Sequence, residues 1–132
     1  MTTVSPFLMF QGGRAQAALD LYFATFPDSR IVRVEHYARG EHGPEGTIKV
    51  AVFTLCGREF MCSDSPIKHA FTFTPSSSTF VDFDSVAELE RVFGLLAEGG
   101  QVLMPLNNYG FSQRFGWLND RFGVSWQLNL PS

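Results

Sequence analysis

The chain has 132 residues and a mass of 14.7 kDa, enough for one compact domain or two small fused modules. It is 45% hydrophobic and 17% charged, with 14 Phe, three Tyr and two Trp, which excludes a disordered tail and requires a core, an interface or a ligand cavity for so many rings. The net charge of −3 and pI near 5.5 argue against binding to nucleic acid or an anionic membrane, both of which call for a basic face.

The segment Ser5 to Gln11 (SPFLMFQ) is short, apolar and bounded by Pro and Gly-Gly, as a buried strand would be. From Arg14 to Phe26, Ala15, Ala18, Leu19, Tyr22, Phe23 and Phe26 recur at three and four and form one helical stripe. Ser29 to Ala38 alternates as a strand, and Arg39 to Gly46 is a Gly-rich loop. Thr47 to Leu55 is rich in β-branched residues. The Cys56-Gly57 pair turns it back into a strand from Arg58 to Asp64. After a loop at Ser65 to Ser77 the pattern restarts. Thr79 to Phe83 is a strand, and Ser85 with Glu88 forms a capping box for a helix from Val86 to Glu98. Leu89, Val92, Phe93 and Leu96 are its buried stripe, and Gly99-Gly100 ends it. Strands follow at Gln101 to Leu106, Gln113 to Asn119 and Val124 to Leu130, the last two joined by an Asp120-to-Gly123 turn.

The order βαβββ thus occurs twice, in residues 5–64 and 77–130 of a single 1–132 domain. The expected class is α+β: two βαβββ modules with curved mixed β-sheets and the helices on their outer faces. Strand alternation assigns each residue to a side. Val124, Trp126, Leu128 and Leu130 face a helix, as do Phe60 and Cys62, Leu8 and Phe10, and Val81 and Phe83. The concave sides then carry Phe7, Met9, Gln11, Glu59, Met61 and Ser63 in the first module. In the second they carry Ser78, Phe80, Asp82, Phe115, Trp117, Gln127 and Asn129. This mixture of rings, thioethers and amides suits a small, largely apolar ligand held by a few polar contacts.

Two βαβββ copies in so short a chain resemble the vicinal oxygen chelate superfamily of glyoxalase I, extradiol dioxygenases and bleomycin-resistance proteins. The stretch Leu106 to Leu130 (LNNYGFSQRFGWLNDRFGVSWQLNL) is similar to the PhnB-like branch, often labelled "3-demethylubiquinone-9 3-methyltransferase". So are Pro6 to Gly12, Ala18 to Pro27, Phe60 to Pro66 and His69 to Pro75. Metal-dependent members take four ligands, typically His and Glu, from the first and last strands of the modules. The resemblance places those positions near Phe7, Met61, Ser78 and Gln127, none of them imidazole or carboxylate. No metal and no cofactor are therefore expected. The methyltransferase label also fits poorly, because Gly12-Gly13 lacks the glycine spacing of a nucleoside-binding turn. Cavities in this superfamily commonly form across a dimer, which implies a homodimer here.

The remaining candidates are weaker. His36, His42 and His69 are not paired at ligand spacing. Cys56 and Cys62 sit among apolar residues, and both are expected as buried free thiols in a reducing cytosol. Asp64, before Ser65-Pro66, is expected to form a turn. The aromatic tail from Tyr109 to Trp117 suits an arm over the cavity or against a partner. No apolar run reaches about 18 residues and the first residues do not form a signal peptide, so the expected location is the cytoplasm, away from membranes. The leading functional expectation is a protein that binds or sequesters a small organic molecule. The alternative is an isomerase, lyase or other superfamily enzyme using Glu59 or Asp82 as a base, or an unusual metal.

Overall fold

The computed structural model describes residues 1–132, as two compact units, Met1–Ala70 and Phe71–Ser132. Each unit holds one βαβββ module. In the first, β1 (Phe7–Gln11), α1 (Ala15–Thr25), β2 (Ser29–His36), β3 (Ile48–Leu55) and β4 (Arg58–Ser65) follow in order. In the second, β5 (Thr79–Asp82), α2 (Val86–Ala97), β6 (Gln101–Asn107), β7 (Arg114–Asn119) and β8 (Ser125–Leu130) do the same. The sheets have orders β1-β4-β3-β2 and β5-β8-β7-β6. In each, the first and last strands pair in parallel, and the other pairs are antiparallel. The fold is α+β. Neither helix is long and apolar enough to cross a membrane.

Each helix covers one side of its own sheet. In the first unit Ala15, Ala18, Leu19 and Tyr22 of α1 are buried with Phe10, Phe53, Phe60 and Cys62. Phe53 stacks on Phe60 with centroids 5.5 Å apart, and Phe23 meets Phe53 edge-on at 5.9 Å. In the second unit Leu89, Val92 and Leu96 of α2 are buried, as are Leu118, Trp126 and Leu128 of the sheet. Gly116 of β7 lies against Phe93 of α2 and Leu106 of β6. A Cβ there would sit 2.5 Å from Phe93 Cε2 and 2.8 Å from Leu106 Cδ2. Burying these side chains drives each layer together at about 1.5–3 kcal/mol per large residue.

Three local expectations need correction. Asp64 does not form a turn. It lies within β4, buried, and its carboxylate accepts from Ala15 N–H and Ile48 N–H, both at 2.9 Å. Helix α1 has no side-chain cap from Arg14, so a strand residue distant in sequence caps it instead. Cys56 is not buried. It takes φ +50° beside Gly57 at +82° in the two-residue turn between β3 and β4, and that turn lifts it into solvent. Only Cys62 is a core thiol. The capping box is half made. Glu88 N–H donates to Ser85 Oγ at 3.3 Å, but the Glu88 carboxylate pairs with Arg91 instead of reaching back.

Candidate functional site

Opposite its helix, each sheet leaves a face that its own module does not cover with a helix. Register identifies the residues on it, because paired residues of neighbouring strands point the same way. On the first sheet Phe7 pairs with Met61 and Met9 with Ser63. Glu59 lies on the same side, opposite Thr54. Phe7 is exposed, while Met9, Met61 and Ser63 are half-buried. Glu59 is exposed, and its Oε1 accepts from Ser5 Oγ at 2.9 Å. It therefore lacks apolar enclosure.

On the second sheet two rows cross the strands. Phe80 pairs with Gln127 and Gln127 with Trp117, while Asp82 pairs with Asn129 and Asn129 with Phe115. Ser78 lies just ahead of β5 on this side, and its hydroxyl is 2.6 Å from Ser125 Oγ. Ser125 Oγ in turn accepts from Trp117 Nε1 at 2.9 Å. Gln127 and Trp117 are half-buried, and Phe115 and Asn129 are buried. Phe80 stays 53% exposed. The loop after β6 folds back here. Phe111 packs edge-on against Phe115 at 5.1 Å, Tyr109 does so at 6.2 Å, and Phe80 lies 6.4 Å from Phe115. The aromatic tail was expected as an arm over the cavity or against a partner, and its fold-back runs through a turn at residues 107–110. There Asn108 Oδ1 accepts from Gly110 N–H at 2.8 Å, Gly110 takes φ +101°, and Tyr109 Oη donates to Pro105 O at 2.6 Å.

Asp82 is exposed like Glu59, and its Oδ1 accepts from Asn129 Nδ2 at 2.8 Å. Two side-chain acceptors are buried without a partner, Asn119 Oδ1 and Asn129 Oδ1, and alternation and register place both on this face. Nothing in the sequence marks them, since their lack of partners is a tertiary property.

The donor set does not suit a divalent metal. Phe7 offers no lone pair and Met61 a soft thioether, Ser78 is tied to Ser125, and no three His, Cys, Asp or Glu side chains gather at one point. The Cys62 thiol faces α1 and is pushed up to about 12, by burial first and then by the charge of Asp64, which makes it a poor nucleophile. A recess of about 680 Å³ lies elsewhere, beside the start of α1, between Gly12-Gly13, Pro44 and the segment Asp64–Lys68. His69 N–H caps Gln11 Oε1 next to it at 2.7 Å. Its lining includes Asp64, whose carboxylate is already bonded to two backbone amides.

A family model described as 3-demethylubiquinone-9 3-methyltransferase matches residues 2–129. The chain belongs to this PhnB-like family. It is similar to a solved putative 3-demethylubiquinone-9 3-methyltransferase, PhnB protein, from Bacillus cereus. That match has 48% identity and a TM-score of 0.93, and covers 98% of this chain and 99% of that one. Protein YjdN of Escherichia coli (strain K12) is 27% identical over 139 residues, covering 96% of this chain and 94% of YjdN. A glyoxylase/bleomycin resistance protein/dioxygenase domain from Frankia sp. shares the fold, at 14% identity and a TM-score of 0.64 over 100% of this chain and 93% of that one.

The family's methyltransferase description implies a nucleoside cofactor, and the residues fit one badly. The paired glycines at Gly12-Gly13 lead into α1, as in a cofactor-binding turn, but Asp64 already occupies the Ala15 N–H. A phosphate or carboxylate brought there would meet a buried anion rather than free amides. The sheet is also largely antiparallel, with one parallel pair in each module, unlike a doubly wound nucleotide-binding sheet.

Proposed function

We propose that this PhnB-like protein binds a small organic molecule on the helix-free face of its second module, without a catalytic metal. The supporting observation is Phe80, a large ring left half in solvent beside Phe111, Phe115 and Tyr109. An exposed aromatic cluster interrupted by the Gln127 and Asn129 amides has the character of a ligand-binding lining. The first module's own helix-free face carries a softer lining of Phe7, Met9, Met61 and Ser63.

Exposure of both Glu59 and Asp82 favours binding over proton transfer as the role of these faces. The protein is further read as a cytoplasmic homodimer. Edge strand β2 leaves Ile31, Val32 and Val34 exposed, at 38%, 46% and 37%, a row that a second copy would cover.

Thermal melts with a panel of small aromatic compounds test the binding reading. A binder raises the melting temperature in proportion to its concentration above Kd, and Phe80→Ala abolishes the shift. A panel that never moves the melting temperature would sink it. Sedimentation velocity tests the dimer, and a monomer at all concentrations would refute it.

A further inference from the structure

We infer that the second module's helix-free face selects a protonated amine, held between Asp82 and Asn129 with its apolar stem on Phe80. The inference rests on the small-molecule reading and assigns its ligand class.

The argument begins with the orientation of Asn129. Its Nδ2 donates to Asp82 Oδ1 at 2.8 Å. Turning the amide over would set two oxygens against each other, so the orientation is fixed. The Asn129 oxygen then has no donor, although the side chain is only 9% exposed. A buried acceptor in that state is costly until something donates to it.

Asp82 carries the complementary feature. It is an exposed carboxylate with one oxygen engaged by an amide and no cation paired to it. The ion pairs of the chain are Lys49–Glu41, Arg91–Glu88 and Arg114–Glu90. On this face Trp117 Nε1 goes to Ser125, and no donor reaches the Asn129 oxygen. The pair therefore offers a carboxylate without a cation and a buried oxygen without a donor. An ammonium group brings three N–H donors and a compensating charge. An alcohol brings one donor and no charge, and a carboxylate meets Asp82 with repulsion.

Phe80 completes the site. It is two residues from Asp82 on the same face of β5, a separation of about 7 Å along a strand. A cation at the carboxylate thus lies within reach of the ring face, and a short carbon stem lies on Phe80 itself.

The test uses phenethylamine, phenethyl alcohol and phenylacetate, titrated by calorimetry into the intact protein and into Asp82→Asn and Phe80→Ala. Asn at position 82 keeps an oxygen for Asn129, so the fold should survive, and melts without ligand check this. The amine should bind tightest. Asp82→Asn should weaken the amine about ten-fold while leaving the alcohol within about two-fold of its original affinity. Phe80→Ala should weaken every compound that binds. Should phenylacetate or the alcohol match the amine, or Asp82→Asn leave the amine untouched, the charge selection is wrong while the small-molecule reading stands. Should none of the three bind, the amine assignment falls, and the melts with the wider panel decide the small-molecule reading.

Discussion

Asp64 gives the sharpest test of how the first module is held together. Its two oxygens accept the backbone N–H groups of Ala15 and Ile48, each at 2.9 Å, at 3% side-chain exposure. Hydrogen bonds to a charged acceptor contribute about 1.5–3 kcal/mol each, and a buried donor left unpaired costs a similar amount. Asp64→Ala removes both bonds and should cost about 3–5 kcal/mol, a large part of the 5–15 kcal/mol that typically holds a domain together. Asp64→Asn keeps one acceptor oxygen and should cost about 2 kcal/mol. Both Trp residues lie in the second unit, so urea unfolding should be followed by far-UV circular dichroism. Amide hydrogen exchange adds a local readout, because Ala15 and Ile48 should lose protection before their neighbours do. An alanine variant that loses less than about 1 kcal/mol, or that matches asparagine, would refute the assignment of Asp64 as the helix cap.

Gly116→Ala should destabilise by about 1–3 kcal/mol, because its new methyl meets Phe93 and Leu106. The control is Gly94→Ala, in the interior of α2 with open space around it, which should raise stability by about 0.5–1 kcal/mol in the same melts. A disulfide reagent should label one thiol of the native protein, Cys56, and reach Cys62 only on unfolding; equal labelling of both would contradict the burial of Cys62. The thiol of Cys62 is raised in the fold to about 12 from an ordinary 9.0. Between those values the unfolded chain loses a proton that the folded one keeps, so stability should fall as pH rises through that window. Cys62→Ala should remove that part of the decline.

The fold was legible wherever alternation and periodicity were strict. In β8, Trp126, Leu128 and Leu130 are buried against the helix side, while Gln127 and Asn129 point the other way. The Cys56-Gly57 turn was equally plain, since its two positive φ values suit so short a loop. What the sequence hid was which partner a polar side chain finds. Asp64 precedes Ser65-Pro66, a local turn signal, yet its partners are 16 and 49 residues away. Asp120 was read within a turn, and it is buried there. Its carboxylate also binds the Trp126 indole at 2.9 Å, which no local pattern announces. Cys56 was misplaced because its apolar neighbours suggested a core, and the turn geometry outweighed them. The pairing of Asp82 with Asn129 was equally hidden. Face and residue type were readable there, but the lone oxygen of Asn129 emerges only when β5 and β8 lie side by side.

The parallel pairing of first and last strands sets a schedule for synthesis on the ribosome. Phe7–Gln11 emerges early, yet its only neighbour, Met61–Ser65, follows dozens of residues later. Until then a segment bearing Phe7, Leu8, Met9 and Phe10 waits unpaired with its apolar side chains in water, a state that invites association between nascent chains. The second module repeats the delay, with Thr79–Asp82 waiting for Trp126–Asn129 at the far end of the chain. Maturation of this protein should therefore depend on chaperone capacity more than its modest size suggests.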